Sequence, residues 1–232
     1  MLGYDLRKAH KSDSMDMHLR RFFSNHEIGL VVDCGAFVGG FAMQCRKSGY
    51  RGPILSFEPS AKQYATLAAA ASEDAQWHAF KIGLGDVAGE QDIYVSSGKG
   101  NLNSLYNSRP DMHARFGALH CAGVERVVID RLDSVLQARG LSSEVPIFIK
   151  SDTQGNDLNV LRGAGTCLRQ TAGILLEMSV QPLYDGTPPH WEVLEFVRAS
   201  GFEPDGFSTI SRDKSGNLIE YDAIFCRARP SG

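Results

Sequence analysis

The 232-residue sequence has few cysteines and no pair of them in a C-x-x-C spacing. Cys34, Cys45, Cys121, Cys167 and Cys226 are odd in number and scattered. That pattern argues against a disulfide frame and a thiolate zinc site, and it fits the buried or free thiols of a cytoplasmic protein. No apolar run approaches the ~20 residues that a membrane helix needs, so no membrane span is expected. The stretch from Met1 to Arg21 is charged and lacks the apolar core of a secretory signal. No block of like charge stands out and the formal net charge is -3, so the basic footprint of a nucleic-acid binder is missing. There is no H-E-x-x-H metal motif and no G-x-S-x-G nucleophile elbow. Internal repeats and low-complexity segments are also absent.

What is present suits one ordinary globular domain: 43% of residues are hydrophobic and 22% charged, enough apolar content for a full core. Strand and helix signals alternate. Leu19, Phe22, Phe23 and His26 recur at helical spacing and predict a short amphipathic helix before the first strand. Leu30 to Asp33 is an apolar run ending in an acid, followed by a glycine turn and a helix from about Gly40 to Lys47 that stops at Gly49. Pro53 to Phe57 is a second strand, and Ser60 is placed to cap a helix carrying Tyr64, Leu67, Ala68 and Ala71. Trp77 to Ile82 reads as a third strand leading into a turn, Gly83-Leu84-Gly85-Asp86. Asp92 to Val95 and Val124 to Ile129 read as strands flanking an irregular segment, Ser96 to Gly123; a long loop in a compact domain is commonly functional. Leu132, Val135 and Leu136 mark a helix closed by Gly140. Pro146 to Lys150 has the continuous apolar character of a central parallel strand. A short helix with Leu158 and Leu161 buried follows, then a strand at Ile174 to Leu176. Pro188-Pro189 opens a helix whose inner face is expected to be Trp191, Leu194 and Val197. The tail predicts a hairpin of Phe207 to Ser211 and Leu218 to Cys226. The expected fold is α/β: one Rossmann-like domain, mostly parallel sheet with a C-terminal antiparallel hairpin and helices on both faces.

Ligands in such sheets bind beyond the carboxyl ends of the strands. Asp33, Glu58, Asp152 and Glu177 all fall at predicted carboxyl ends, so four acids should ring one crevice. The spacing of Asp33 and Glu58 around Gly35 and Gly39 describes a βαβ nucleotide-binding unit. A dinucleotide site wants G-x-G-x-x-G for its pyrophosphate. Here the first glycine is missing and a carboxylate opens the loop, which suits a ligand with a cationic end, as in S-adenosylmethionine. Glu58 is placed to accept both ribose hydroxyls. Gly35 and Gly39 let backbone approach the ligand and let the helix pack on the strand. Asp86 could reach an adenine amino group or cap a turn. Lys150 and Asp152, two apart in a strand, point to one face and form an ion pair at the rim; Asp157 is placed to help the next helix start. His113 and His120 lie in the irregular segment, either as a general base or as plain surface residues.

Taken in order, Asp33-Cys34-Gly35-Ala36-Phe37-Val38-Gly39, Ser56-Phe57-Glu58-Pro59, Gly83-Leu84-Gly85-Asp86, Asn103-Ser104-Leu105, Ile149 to Gly155, Val160 to Gly163 and Leu175-Leu176-Glu177 resemble FkbM-family methyltransferases. The resemblance covers roughly Val31 to Cys226. It implies a class I methyltransferase fold, S-adenosylmethionine as donor and S-adenosylhomocysteine as product, and O-methylation of a sugar, glycolipid or natural product. Residues 1–27 are expected to form a helical extension, 28–232 the methyltransferase domain and 96–123 a lid or substrate loop. Donor contacts are expected from Asp33, Gly35, Ala36, Phe37, Gly39, Glu58, Pro59, Gly85 and Asp86. Acceptor contacts are expected from Asn103, Ser104, His113, Gln154, Asp157, Glu177 and Tyr184. Asp152, or a histidine of the loop, is the expected proton acceptor, with Lys150 orienting Asp152; a metal held by Asp152, Asp157 and Glu177 is the less favoured alternative. The family loop usually carries asparagine where Phe37 stands and an aliphatic residue where Ser151 stands. The partner is expected to be a small-molecule or saccharide acceptor. Competing readings are an N-methyltransferase of small amines, a nicotinamide oxidoreductase, and a donor-binding partner subunit without catalysis.

Overall fold

Residues 15–97, 102–110, 121–141 and 145–228 are described by a computed structural model of the chain. His113, His120 and the middle of the expected lid lie outside the described residues. In chain order the elements are α1 (Met15–Asn25), β1 (Leu30–Cys34), α2 (Gly40–Lys47), β2 (Ile54–Phe57), α3 (Ala61–Ala71), β3 (Trp77–Phe80), β4 (Gly83–Leu84), β5 (Gly89–Ser96), β6 (Cys121–Asp130), α4 (Leu132–Ala138), β7 (Ile147–Ser151), α5 (Asp157–Ala164), a 3-10 turn (Gly165–Arg169), β8 (Thr171–Ser179), α6 (His190–Ala199), β9 (Phe202–Arg212) and β10 (Leu218–Arg227).

The main sheet has seven strands in the order β3-β2-β1-β7-β8-β10-β9. The first five are parallel, and β10 runs antiparallel to both β8 and β9. β1 and β7 are buried at every position, as a strand covered on both faces must be. Their alternation sorts the core into two layers. Val31 and Phe148 face a cluster with Leu19, Phe22 and Phe23 of α1 and Ala42 and Cys45 of α2. Leu30, Val32, Ile147 and Ile149 face Leu132, Val135 and Leu136 of α4 and Val160 of α5. A second sheet, β4-β6-β5, lies outside the main one.

Several expectations need correction. Gly83 and Leu84 are not a simple turn but a two-residue strand paired with Ile129 and Asp130. The β5–β6 ladder extends to Ser96 and Cys121, at the two edges of the segment expected to be irregular. The tail strand starts at Phe202, not Phe207. Trp191 does not face the core: it is 61% exposed, and Val193 and Val197, four apart, supply the inward stripe of α6. Ser60 stands at the N-cap of α3, yet its hydroxyl does not cap; it donates to Glu125, whose other oxygen takes the Ala61 N–H. All five cysteines are free. Among the described residues no helix is long and apolar enough to cross a membrane.

Gly163 sets how closely α5 approaches the β4 turn. A Cβ there would sit 1.9 Å from the carbonyl oxygen of Gly85, which is backbone and cannot swing away. Gly163→Ala is therefore expected to lower the unfolding free energy by about 1–3 kcal/mol, even though alanine is the better helix former by ~1 kcal/mol. Urea titration checks this; an unchanged or raised midpoint would refute the steric account.

Candidate active site

A cavity of about 270 Å³ opens beyond the carboxyl ends of β1, β2, β7 and β8. One end is an apolar slot of Phe57, Pro59, Leu84, Ile93, Leu105 and Ile129. The other end carries Asp152, Gln154, Glu177 and Glu220, with Glu58 and Asn103 among its remaining polar lining.

The polar end follows from strand register. Asp33 pairs with Lys150 on one side and Ser56 on the other, and Lys150 pairs with Leu175, two residues before Glu177. The apolar row Val31, Phe148 and Leu175 gives way, one pleat on, to Asp33, Lys150 and Glu177 on the same face. These side chains form a continuous chain of contacts. The Trp77 indole N–H donates to Ser56 Oγ at 2.9 Å, and Ser56 Oγ donates to Asp33 Oδ2 at 3.2 Å. Lys150 Nζ lies 3.4 Å from Asp33 Oδ1 and 3.6 Å from Asp152 Oδ2, and donates to the Gly35 carbonyl at 2.9 Å. Gln154 Nε2 then bridges Asp152 Oδ1 at 2.9 Å and Glu177 Oε2 at 2.7 Å. The Tyr184 hydroxyl fixes Gln154 by donating to its Oε1 at 2.6 Å.

Electrostatics assign the protons. Burial works against the charges of both Lys150 and Asp152, but their mutual attraction wins. Lys150 is held above the ordinary lysine range and Asp152 below the ordinary carboxylate range. Glu177, buried and hydrogen-bonded to the Asp152 charge, is pushed well above the usual range. Two adjacent carboxyls cannot both ionise cheaply, so Asp152 keeps the charge and Glu177 the proton. Burial pushes Asp33 upward, against the pull of Lys150 and Ser56.

Glu58 is anchored differently. Its Oε2 accepts the Phe37 N–H at 2.9 Å and its Oε1 accepts the Ser60 N–H at 3.0 Å. Burial raises its pKa to about 7, and these two amides only partly oppose it. Phe37 has φ +52 and Gln154 φ +53, left-handed conformations costly for side-chain-bearing residues. Both lie in loops that shape the cavity. The asparagine usual at the first of these positions tolerates such a φ better than phenylalanine does. Gly35, at φ +71, is required for a second reason: a Cβ would lie 2.0 Å from the Asp152 carbonyl oxygen.

Of the residues expected at the site, Gly35, Phe37, Glu58, Pro59, Asn103, Ser104, Asp152, Gln154 and Glu177 line the cavity. Asp33 and Lys150 lie beneath it, supporting Asp152. Ala36, Gly39, Gly85, Asp86, Asp157 and Tyr184 are not in its lining. Gly39 packs under Trp77, where a Cβ would fall 2.6 Å from the indole. Asp157 stands in the first turn of α5, as expected. One of its oxygens collects Ser151 Oγ, Thr153 N and Thr153 Oγ1 at 2.6 to 3.0 Å, which ties the β7–α5 loop together. Ser151, where the family has an aliphatic residue, owes its place to that bond. Asn103 and Ser104 line the cavity but direct their polar groups into the protein: Asn103 Oδ1 takes the Ser96 N–H, and Ser104 Oγ donates to the Gln154 carbonyl. Glu220 and Ile210, on the hairpin, were not foreseen as lining residues. No sequence signal marks them, because the β8–β10 pairing brings Glu220 to the crevice and the β9–β10 pairing brings Ile210.

The residues present fit S-adenosylmethionine. The apolar slot suits a purine face, and Glu58 stands ready for ribose hydroxyls. Among the described residues no group of three or more His, Cys, Asp or Glu is arranged to hold a metal ion. The model of the family described as "Methyltransferase FkbM domain" matches residues 33–204. A search of curated proteins finds no match. Among solved structures, the chain is similar to magnesium protoporphyrin IX methyltransferase from Synechocystis PCC 6803 with bound SAM (TM-score 0.48, 10% identity, 92% of this chain and 77% of that one). It is also similar to a precorrin-6y C5,15-methyltransferase from Geobacter metallireducens GS-15 (TM-score 0.47, 10% identity, 95% and 93%). An rRNA methylase from Streptococcus thermophilus shows a comparable likeness (TM-score 0.45, 10% identity, 93% and 98%).

Proposed function

The chain belongs to the FkbM methyltransferase family, and from that premise we propose that it transfers a methyl group from S-adenosylmethionine to a hydroxyl of a sugar, glycolipid or other natural product. The observation that carries the reading is the pairing of two differently prepared carboxylates on one cavity. Glu58 is fixed by the backbone amides of Phe37 and Ser60, and Asp152 is kept ionised by Lys150.

Bound S-adenosylmethionine supplies an electrophilic methyl group. The protein's own residues do the rest. Glu58 and the Gly35–Phe37 loop hold the donor, and the slot of Leu84 and Ile129 takes its base. Asp152 holds the acceptor hydroxyl and accepts its proton as the new bond forms. A general base of this kind contributes roughly 10²–10⁴ fold, and alignment of the two reactants up to ~7–11 kcal/mol. Lys150 and Gln154 fix the direction of the Asp152 carboxylate. Burial beside the Asp152 charge holds Glu177 well above the usual carboxylate range, which leaves Asp152 as the carboxylate that accepts the proton.

Calorimetric titration separates this reading from its rivals. S-adenosylhomocysteine is expected to bind with a micromolar Kd and NAD not at all. A folded protein that ignores S-adenosylhomocysteine, or one that prefers NAD, would remove the proposal.

A further inference from the structure

Methyl transfer gives Glu220 no task. It lies on β10, lines the cavity at 8% exposure, and is held by hydroxyl donors: Ser211 Oγ to Oε2 at 3.1 Å and Ser179 Oγ to Oε1 at 3.4 Å. Register explains its company. Across the antiparallel β8–β10 ladder Asp222 stands opposite Glu177 and Glu220 opposite Ser179, so three acids share one face at the cavity end of the sheet. Two acids directly opposite in a ladder cannot both carry charge cheaply. Burial pushes Asp222 up to about 6 and Glu220 above its ordinary value. The described lining contains Glu58, Asp152, Glu177 and Glu220 but no lysine, arginine or histidine. Lys150, beneath, is already shared by Asp33 and Asp152.

We propose that Glu220 determines acceptor specificity by receiving a protonated amine, so that the acceptor is a hydroxylated amine of the amino-sugar or amino-alcohol class. The inference rests on the methyltransferase reading above and narrows it. The amine is a recognition group and not the nucleophile. Its lone pair is occupied by the proton that gives it charge, while the hydroxyl presented to Asp152 keeps its own lone pairs for attack. The same carboxylates turn away phosphorylated or carboxylated acceptors, because a further anion here would meet no lysine, arginine or histidine in the described lining.

The test supplies the protein with methyl-labelled S-adenosylmethionine and a deproteinised small-molecule extract of the source cells, then separates products by ion exchange at pH 7. Label is expected in the fraction retained by a cation exchanger, with the proton shift of the labelled methyl identifying it as O-methyl. Label only in neutral or anion-retained fractions overturns the proposal. So does an absence of labelled product from a protein that binds S-adenosylhomocysteine; failure of that binding instead removes the underlying methyltransferase reading. With the acceptor purified, Glu220→Gln is expected to raise its KM at least tenfold with little change in kcat, while S-adenosylhomocysteine affinity stays within twofold. An unchanged KM would assign Glu220 a merely structural role.

Discussion

Asp152→Asn is expected to fold, to bind S-adenosylhomocysteine, and to transfer methyl groups about 10²–10⁴ fold more slowly than the parent protein. Folding should survive because the amide keeps the shape of the carboxylate and because Lys150 retains Asp33 and the Gly35 carbonyl as partners. Removing Lys150 would be the harsher change, since it would leave Asp33 buried and unpaired. The residual rate carries its own signature. Asp152's charge is one reason Glu177 holds its proton. With that charge gone, Glu177 should ionise more readily and serve as a poor substitute base. Activity of the variant should then fade, as pH is lowered, through the titration of Glu177. Glu177→Gln in the parent background should cost less, because Asp152 stays ionised beside Lys150. Single-turnover rates across pH decide the matter. An Asp152→Asn protein that binds donor and turns over at the parent rate would sink the base assignment.

Much of this site was legible in the sequence because parallel strands announce themselves. Continuous apolar runs such as Ile147 to Ile149 can only be doubly covered strands, and an acid or glycine closing such a run falls at the crevice. Asp33, Glu58, Asp152 and Glu177 were found that way. What stayed hidden depended on pairing between distant segments. Glu220 reaches the cavity only because β10 aligns Asp222 with Glu177, a register that local pattern does not encode. Glu125 takes over the capping of α3 from a different sheet, so Ser60 holds the N-cap position without making the capping bond expected of it. Trp191 was placed inside by its size and spacing, yet the first turn of α6 turns it outward. Tyr184, Asp157 and Lys150 show a further difference. Sequence placed them at the site, whereas the structure sets them one layer behind it, positioning Gln154, the β7–α5 loop and Asp152.

Glu58 sets the second large effect. Two ribose hydroxyls donating to its carboxylate are worth roughly 1.5–3 kcal/mol each, so Glu58→Ala should weaken S-adenosylhomocysteine binding by about 10²–10⁴ fold. The buried carboxyl also makes binding pH-dependent. Its pKa in the empty protein is raised to about 7, so below that value the side chain is protonated and must give up its proton to accept both hydroxyls. Affinity should therefore rise as pH climbs toward 7, by nearly tenfold per unit at the steepest, and level off above it. Stability of the empty protein should run the other way. Between the ordinary glutamate pKa of 4.5 and about 7, the folded chain keeps a proton that the unfolded chain has released. Stability contributed by this group thus falls as pH rises through that window, by roughly 3 kcal/mol in all. The donor offsets that loss by occupying the charge, which makes the stabilisation conferred by S-adenosylhomocysteine largest above pH 7. Melts with and without ligand from pH 5 to pH 8 measure both trends, and Glu58→Ala isolates them from the titration of Asp152 and Glu177. A parent protein whose affinity is flat across that range, or a variant that keeps the parent's slope, would show that Glu58 is not the group that meets the donor.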